Sequence, residues 1–365
     1  MRPQLLGRAI RSVLGQSYQH FEVHVYDNAS GDETPQVVAQ FAERDSRVKY
    51  HGHTQNIGLV RNIAFGIERV ATPFVNILSD DDIVLPGFFE SAIRALADHS
   101  EAAMYMGATI DAESSGAVAD APVLRYRHGL LQPPDVFFEI LRKGHTNWNG
   151  FVMRREGLRL IGGLDDQVGS IFDVDLQLRM AAQYPIFVSP LPAAVFFSHS
   201  GQSSSAVPGR AIDEVFLPWN RILQKLVMVH TLDQHQRRLA ADMFMARLRR
   251  RMLRAGGEAA ALGLYSEGLR AAEILNRELH GVFPAFCLRT LCAISQVIPA
   301  PVIRLLTIAL EQTQRVFQKR RYGLRPRLPH RDRKPYSILV NESLARLGSE
   351  NVSYDPSEST MVQWH

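Results

Sequence analysis

The sequence predicts an α/β protein with a mostly parallel sheet, helices on both faces of that sheet, and a helical region after it. In the first third of the chain, segments with apolar residues three or four positions apart alternate with short runs in which every second residue is apolar. Alternating helices and strands are typical of parallel sheets, because each crossover between parallel strands leaves room for a helix. After about residue 208 only the helical spacing continues.

The first elements can be assigned in order. LLGRAIRSVL has a helical apolar stripe and is predicted to end near Gly15. FEVHVYD is a predicted strand that stops at Asp27, and NASGDET has the composition of a turn. TPQVVAQFAERD is a predicted helix that begins at Thr34 with Pro35 in its first turn. RVKYH is the second predicted strand.

A third helix is predicted from the loop TQNIGLVRN to about Ala71, and PFVNILSD is the third strand. A further block, residues 145–200, contains HTNWNGFVMRR, FDVDLQLRMAAQY and AVFFSHSGQS. We therefore expect an α/β domain over residues 1–207 and a basic helical region over residues 208–325. Residues 326–365, rich in Pro, Arg and Ser, are expected to be a loosely ordered tail.

Composition narrows the class of protein. The 365 residues are 46% hydrophobic and 21% charged, as in a globular protein, and the formal net charge of +4 predicts no nucleic-acid partner. Cys287 and Cys292 are expected to be buried thiols, which fits a reducing compartment. The opening residues lack the apolar core of a signal peptide, so we expect a cytoplasmic protein.

Three consecutive carboxylates, Asp80, Asp81 and Asp82, follow the third strand in VNILSDDDIVLP. Because neighbouring like charges repel, increasingly so as water is excluded, a positive partner is expected there. Carboxylate oxygens suit Mg²⁺ or Mn²⁺, and Mg²⁺ usually binds one or two carboxylates together with substrate phosphates. The alternative is an acidic cluster at a helix N-terminus.

Two other segments predict a ligand at the same edge of the sheet. Asp27 also ends a strand, and ligands of such sheets bind beyond the carboxyl ends of the strands. In NIGLVRN, which contains Asn56, the permanently charged Arg61 could reach a phosphate or a base edge. The alternatives are an Asx turn at Asp27 and a solvated helix residue at Arg61.

Together, AIRSVLGQSYQHFEVHVYDNASGDET, NIGLVRNIAFGI, PFVNILSDDDIVLPGFF and FDVDLQLRMA resemble family 2 of the nucleotide-sugar glycosyltransferases, which have the GT-A fold, over residues 3–205. The resemblance implies that Asp27 contacts the nucleobase and that Asn56 and Arg61 lie near base or phosphate. It implies that the acidic cluster holds the ribose and a metal on the diphosphate, with Asp80 and Asp81 on the donor and Asp81 and Asp82 on the metal. Ser79 replaces an acid that the family often has.

The family's catalytic base is an Asp after a Glu, at the start of a helix. That position maps onto Asp173, which here follows Phe172, with Asp175 as the alternative base. Asp173 could instead only cap the helix. His199 matches a histidine near metal or diphosphate, or is a structural histidine. Trp148 matches an acceptor-side aromatic, or packs in the core.

The resemblance implies a metal-assisted, inverting transfer, with Mg²⁺ or Mn²⁺, from a nucleotide-sugar donor to a hydroxyl of a polysaccharide or lipid-linked acceptor. Two alternatives are a truncated, non-catalytic remnant that binds a membrane or a partner, and a sugar nucleotidyltransferase. The nucleotidyltransferase would need a Gly-rich N-terminal loop.

The resemblance also predicts a missing central strand. Family members begin with a strand and a P-x-Y-N turn before the first helix, and Met1 stands where that turn would end. We therefore expect unpaired edges on both neighbouring strands, and either a start site upstream of Met1 or a truncated gene.

The helical region combines apolar stripes with many arginines, as in HQRRLAADMFMARLRRRMLRAGG and PVIRLLTIALEQTQRVFQKRR. Such helices can lie on an anionic membrane surface, which predicts a peripheral protein on the inner face of the cell membrane. The alternative is that they pack on the catalytic domain with solvated arginines.

Overall fold

The computed structural model describes residues 3–198, 211–322, 329 and 332–348, together with the backbone of residues 359–364. The chain forms two compact units. The first comprises residues 1–202 and 326–365, and the second comprises residues 203–325. The helical unit is thus inserted in the chain between two parts of the α/β unit, and the predicted tail belongs to the α/β unit.

The predicted helices and strands up to the acidic cluster are confirmed. The first part of the α/β unit runs α1 (Pro3–Leu14), β1 (Phe21–Asp27), α2 (Thr34–Ala42), β2 (Val48–Gly52), α3 (Leu59–Arg69), β3 (Phe74–Ser79), β4 (Ile83–Val84), α4 (Phe88–Asp98), β5 (Met104–Glu113), β6 (Val118–Asp120), β7 (Gly129–Leu131), α5 (Asp135–Lys143), β8 (Phe151–Arg154), α6 (Arg155–Leu160), α7 (Phe172–Gln183) and β9 (Ile186–Ser198). The inserted unit runs α8 (Ile212–Val227), α9 (Gln234–Ala261), α10 (Tyr265–Arg277), α11 (Val282–Ile294) and α12 (Ala300–Tyr322), after which α13 (Lys334–Leu347) and β10 (Ser359–Trp364) return to the first unit.

The strands form one mixed sheet. Its order is β2-β1-β10-β3-β8-β5-β9-β4, with β6 paired to β5 and β7 paired to β9. Only the β1–β2 and β5–β9 pairings among the described strands are parallel. The prediction of a mostly parallel sheet is therefore wrong in this detail, because β8 and β10 both run against their neighbours on each side.

The centre of the sheet is formed by β10. It pairs antiparallel with β1, from Phe21 opposite Trp364 to Tyr26 opposite Ser359, and antiparallel with β3 on its other side. The expected unpaired edges are therefore absent from β1 and β3, because two facing rows of backbone N–H and C=O groups offer a complete set of partners for a strand.

The pairing through β10 also fixes the direction of β1 and β3. Both run opposite to β10, so they are parallel to each other and end at the same edge of the sheet. With adjacent strands about 4.8 Å apart, they lie about 10 Å from each other. Asp27 and the acidic cluster therefore share that edge, as the sequence predicted.

Helix α13 was not predicted, since the composition of residues 326–365 indicated a loosely ordered tail. Its apolar residues recur at helical spacing, and Val340 is buried in a cluster with Ile83, Val195 and Phe197. Tyr336, Leu339, Leu344 and Leu347 pack around that cluster. Burial of this stripe explains why the segment is ordered despite its flanking Pro and Arg residues.

In the helical unit, α9 contributes Phe244, Leu248 and Met252 to the core. The arginines of α9 make contacts within this unit. The Arg251 guanidinium lies 4.1 Å from the centre of the Trp219 ring, and Arg249 Nε donates to the Leu279 carbonyl at 2.5 Å. Within the described part of the chain, no helix is both long and apolar enough to cross a membrane.

We expect the substitution V362P to loosen the centre of the sheet. Proline removes the backbone N–H that a central strand donates to the sheet, and it is therefore confined to edge strands and bulges. Hydrogen–deuterium exchange of the full chain should then show faster exchange in residues 21–27 and 74–79 and unchanged exchange in α9. The control V362A keeps the N–H and should change exchange less. Equal protection of β1 and β3 in both variants would contradict this pairing.

Candidate functional site

The loop after β3 is held by its third carboxylate. Asp82 is fully buried, and its two carboxylate oxygens accept hydrogen bonds from Asn149 Nδ2 at 2.6 Å and from the Phe197 N–H at 2.8 Å. Burial raises the pKa of Asp82 well above its usual range, and the charge of Asp81 adds to the rise. Asp82 therefore anchors this loop to the turn before β8 and to β9.

A positive charge accompanies the acidic cluster, and it comes from α1. Arg8 Nη2 donates to the Asp81 carbonyl at 2.5 Å, and its guanidinium lies 4.6 Å from the centre of the Phe197 ring. Burial lowers the pKa of Arg8, whereas the charges of Asp82, Asp81 and Asp80 act to raise it. Sequence reasoning missed Arg8 because nothing in the α1 pattern distinguishes it from a solvated arginine.

The donor chemistry of the cluster fits a hard divalent cation. Asp80 and Asp81 are 1% and 6% exposed and provide oxygen ligands next to each other at the end of β3. Among the described residues, no three acidic, histidine or cysteine side chains lie close enough together to hold a metal ion. One or two carboxylates plus substrate phosphates is, however, the usual protein contribution to an Mg²⁺ site.

The remaining predicted metal ligands are less direct. Each carboxylate oxygen of Asp82 accepts one hydrogen bond that holds the loop, and the assignment of Asp82 as a metal ligand stays a prediction. His199 lies outside the described residues, and its assignment stays a prediction.

At the end of β1, the carboxylate of Asp27 is buried and oriented. Its Oδ2 accepts from the Tyr50 hydroxyl at 2.7 Å, and its Oδ1 accepts from the Ser30 N–H at 2.9 Å. The second contact comes from the backbone N–H three residues on, so Asp27 also holds the turn after β1. Ala29 adopts a φ of 61° within that turn, an uncommon value for a residue other than glycine.

The loop before α3 is tied to the loop after β1 through two asparagines. Asn28 Nδ2 donates to Asn56 Oδ1 at 2.9 Å, and Asn28 Oδ1 accepts from the Ile57 N–H at 2.8 Å. Asn56 Oδ1 also accepts from the Gly58 N–H at 2.8 Å. The structure thus brings Asn56 to the same edge of the sheet as Asp27.

Arg61 lies on α3 with its side chain 71% exposed, and its Nε contacts Asp166 Oδ2 at 2.8 Å. Asp166 begins a short 3-10 helix, Asp166–Ile171, that leads directly into α7. Because surface ion pairs contribute little to stability, this pair leaves Arg61 able to exchange partners. The Arg61–Asp166 ion pair also links α3, on the predicted donor side, to the short helix that leads into α7.

The two candidate bases lie in the first turn of α7 in different environments. Asp173 is half-buried; burial raises its pKa to about 7, and the backbone N–H groups near it act in the opposite direction. Its Oδ1 accepts from the Val174 N–H at 2.8 Å. The residue at the N-cap position is Ile171, and no side-chain cap bond forms there, so Asp173 is not a conventional cap.

Asp175 is instead part of a buried ion pair. Its Oδ2 accepts from Arg179 Nε at 2.8 Å, and Arg179 also donates to the Ile161 carbonyl at 2.6 Å and to the Gly163 carbonyl at 2.8 Å. Asp175 therefore orients the arginine that fastens α7 to the loop after α6.

The 3-10 turn Trp148–Gly150 joins the acidic loop to α7. Trp148 is 5% exposed, its Nε1 donates to Ser79 Oγ at 3.3 Å, and its ring centre is 4.1 Å from that of Phe172. Asn149 Oδ1 accepts from the Ser79 N–H at 3.2 Å while its Nδ2 donates to Asp82. Sequence reasoning missed Asn149. Two asparagines beside a tryptophan, in a segment that also contains apolar residues, were a signal of polar side chains with hydrogen-bond partners in a buried turn.

We expect N149A to destabilise the α/β unit by about 2–4 kcal/mol, because it removes one of the two donors to the buried Asp82 carboxyl and the side-chain acceptor of the Ser79 N–H. Chemical unfolding followed by circular dichroism measures this difference. The double variant D82A/N149A should lose less stability than the sum of D82A and N149A. Strict additivity would show that the two side chains do not interact.

The raised pKa of Asp173 makes a second prediction about stability. Since the folded-state pKa is about 7 and the ordinary value is 3.8, the folded protein binds more protons between these values, and wild-type stability falls as pH rises through them. The free energy of unfolding of D173N relative to wild type should therefore increase by about 1–4 kcal/mol between pH 4 and pH 8. D98N, at an exposed position of α4, is the matched control. A pH-independent difference between D173N and wild type would contradict the burial of this carboxyl.

The chain is similar to known glycosyltransferases. The family model described as "Glycosyl transferase family 2" matches residues 1–158. EpsH of Bacillus subtilis (strain 168), whose assignment as a glycosyltransferase is provisional, is 25% identical over 149 residues, which cover 40% of this chain and 42% of EpsH. The GalNAc(5)-diNAcBac-PP-undecaprenol beta-1,3-glucosyltransferase of Campylobacter jejuni is 32% identical over 94 residues, which cover 26% of this chain and 30% of that protein. The matches therefore span less than half the length of either relative.

Solved structures support the fold. Residues 1–349 of TarS from S. aureus in complex with UDP-GlcNAc align with a TM-score of 0.59 at 13% identity, covering 85% of this chain and 88% of that chain. TarS 1–349 in a second structure aligns with a TM-score of 0.55. The predicted fold class, a GT-A fold with a C-terminal helical region, is confirmed. Residues 1–158, less than half of the chain, are similar to glycosyltransferase family 2.

Proposed function

We propose that this chain transfers a sugar from a nucleoside-diphosphate donor to a hydroxyl of a saccharide or lipid-linked saccharide, with inversion at the anomeric carbon. The observation that carries this proposal is the juxtaposition of two kinds of carboxylate. The acidic loop at the end of β3 is joined through Trp148 and Phe172 to the turn of α7 that bears Asp173. An acid that binds cations and an acid that accepts a proton near neutral pH are the two groups this reaction needs.

The donor would lie along the edge formed by β1, β3 and α3. Asp27, held by Tyr50 and Ser30, would accept hydrogen bonds from a nucleobase. Arg61, exposed and bound only through a surface ion pair in the described contacts, supplies a cation that can turn to a diphosphate. Asp80 and Asp81 follow at the end of β3, where the ribose and the metal would bind.

Asp80 and Asp81 are the residues that would hold Mg²⁺ or Mn²⁺. The bound ion would offset the negative charge that develops on the leaving nucleoside diphosphate. Arg8, which already contacts the Asp81 backbone, limits the repulsion among these carboxylates and orients the loop.

Asp173 would be the general base. A carboxyl whose pKa is about 7 is half ionised at neutral pH and, when ionised, is a stronger base than an ordinary aspartate. It would take the proton of the acceptor hydroxyl as that oxygen attacks the sugar, and a single displacement inverts the anomeric configuration. Asp175, held by Arg179, would keep α7 in place, and Trp148 would support the acceptor side by packing on Phe172.

The relatives support a choice of donor and acceptor to test first. The Campylobacter relative acts, by its name, on an undecaprenol-linked saccharide, which supports a lipid-linked acceptor here. TarS binds UDP-GlcNAc, so uridine diphosphate sugars are the first donors to test. These features fit the building of a surface polysaccharide or glycolipid.

The proposal can be tested with a panel of UDP- and GDP-sugars, by following donor hydrolysis and transfer with mass spectrometry in the presence and absence of Mn²⁺. D173N should lower transfer by about 10²- to 10⁴-fold with a smaller effect on donor binding. D81A should weaken donor binding in the presence of Mn²⁺. D98N is the control for a surface aspartate. Activity that both D81A and D173N leave unchanged would overturn the proposal.

The pH dependence provides a further test. If Asp173 accepts the proton, kcat/KM should rise with pH and reach half its maximum near pH 7, because only the ionised carboxyl is a base. Measurement of kcat/KM from pH 5 to pH 9 for wild type and D175N should give the same midpoint. A wild-type profile that is flat through pH 7 would exclude Asp173 as the base.

A further inference from the structure

Helix α12 turns polar side chains inward and apolar side chains outward, the reverse of a surface helix of a protein surrounded by water. Its buried residues are Ile303, Thr307, Glu311 and Gln318, so most of its inward stripe is polar. Glu311 Oε2 accepts from Arg254 Nε of α9 at 2.9 Å, and Gln318 Nε2 donates to the Ala246 carbonyl at 2.7 Å. A surface helix ordinarily turns its apolar stripe inward.

The apolar stripe of α12 faces outward instead. Leu305 and Phe317 are 65% and 61% exposed, and Val302, Leu306 and Val316 are also exposed. Leu305 and Leu306 follow Val302 by three and four residues, and Val316 and Phe317 follow that leucine pair by eleven residues. All five therefore lie on one side of the helix. Because removal of apolar side chains from water is favourable, the exposed stripe favours contact with an apolar partner.

Helix α11 also carries exposed apolar residues. Val282, Phe283 and Phe286 are 66–70% exposed on its first two turns, while Ala285, Leu288 and Leu291 pack inward. Val297, in the loop to α12, is 84% exposed. Both α11 and α12 pack on α9. We name the exposed apolar residues of α11, α12 and their loop the apolar face.

Basic residues accompany the apolar face. Lys319, Arg320 and Arg321 are exposed in the last turn of α12, and Arg289 is exposed on α11, one turn after Phe286. The outward stripe of α12 has no acidic residue between Val302 and Phe317. A helix with a wide apolar side and a cationic end matches the headgroup region of an anionic bilayer, where the apolar side chains enter the acyl boundary and the cations meet the headgroups.

We propose that the apolar face docks this protein on an anionic lipid bilayer, with α12 lying in the plane of the surface. The 23-residue helix would cover about 35 Å of that surface. This placement explains the polar inward stripe. The inward side of α12 binds the rest of the helical unit through hydrogen bonds, and its outward side contacts the lipid through apolar side chains. Arg254 of α9 fastens α12 to the helical unit through Glu311.

This inference does not depend on glycosyl transfer, and its test needs no donor. The full chain is co-sedimented with vesicles of phosphatidylcholine that contain 30% phosphatidylglycerol and, in parallel, with vesicles of phosphatidylcholine alone. We expect binding to the anionic vesicles that is at least tenfold stronger and that weakens in 0.5 M NaCl. If the protein bound neither kind of vesicle, the proposal would be overturned.

Two variants identify the surface. L305Q/V316Q/F317Q should bind anionic vesicles at least tenfold more weakly, and K319E/R320E/R321E should lose the preference for anionic lipid. The matched control L160Q/L191Q/L217Q replaces three other exposed leucines and should bind as wild type does. Circular dichroism establishes that each variant retains its helices. Equal vesicle binding by L305Q/V316Q/F317Q and wild type would overturn the proposal. A wild-type protein that forms a dimer and does not bind vesicles, with a dimer that dissociates in L305Q/V316Q/F317Q, would also overturn it.

Discussion

The structure of the site depends on the accommodation of a buried carboxyl, Asp82, in a loop with two other acids. Asp82 is satisfied by one side-chain donor and one backbone donor, from Asn149 and Phe197, and the Arg8 guanidinium lies beside the same loop. Each of these partners belongs to a different element. A buried carboxyl without such donors would cost several kcal/mol, so the loop, α1, β9 and the turn before β8 must take up their positions together.

The same contacts set the geometry between the acidic loop and α7. Asn149 binds both Asp82 and the Ser79 backbone, and the neighbouring Trp148 packs on Phe172, the residue before Asp173. The position of the candidate base is thus coupled to the position of the candidate metal-binding acids through one short turn. Burial at that end of α7 is also what raises the pKa of Asp173 to about 7.

Local patterns were sufficient to predict the elements as far as β3 and the carboxylates at the strand ends, because these depend on residues that are close in sequence. The GT-A fold was expected only from the resemblance to a family. Arg8 and Asn149 could not be predicted, since their roles arise from contacts about 70 residues away along the chain. Likewise, the amphipathic pattern of α12 did not reveal which side faces inward. That choice depends on Arg254 of α9, which pairs with Glu311.

The placement of β10 bears on how the chain acquires its structure during synthesis. More than 300 residues separate β1 from β10, and the entire helical unit lies between them. At about 5–20 residues per second, the ribosome would make β10 roughly 15–60 s after β1. During that interval the facing sides of β1 and β3 lack the strand that pairs them, so the nascent α/β unit exposes a template for intermolecular β-pairing until translation has passed the helical insertion.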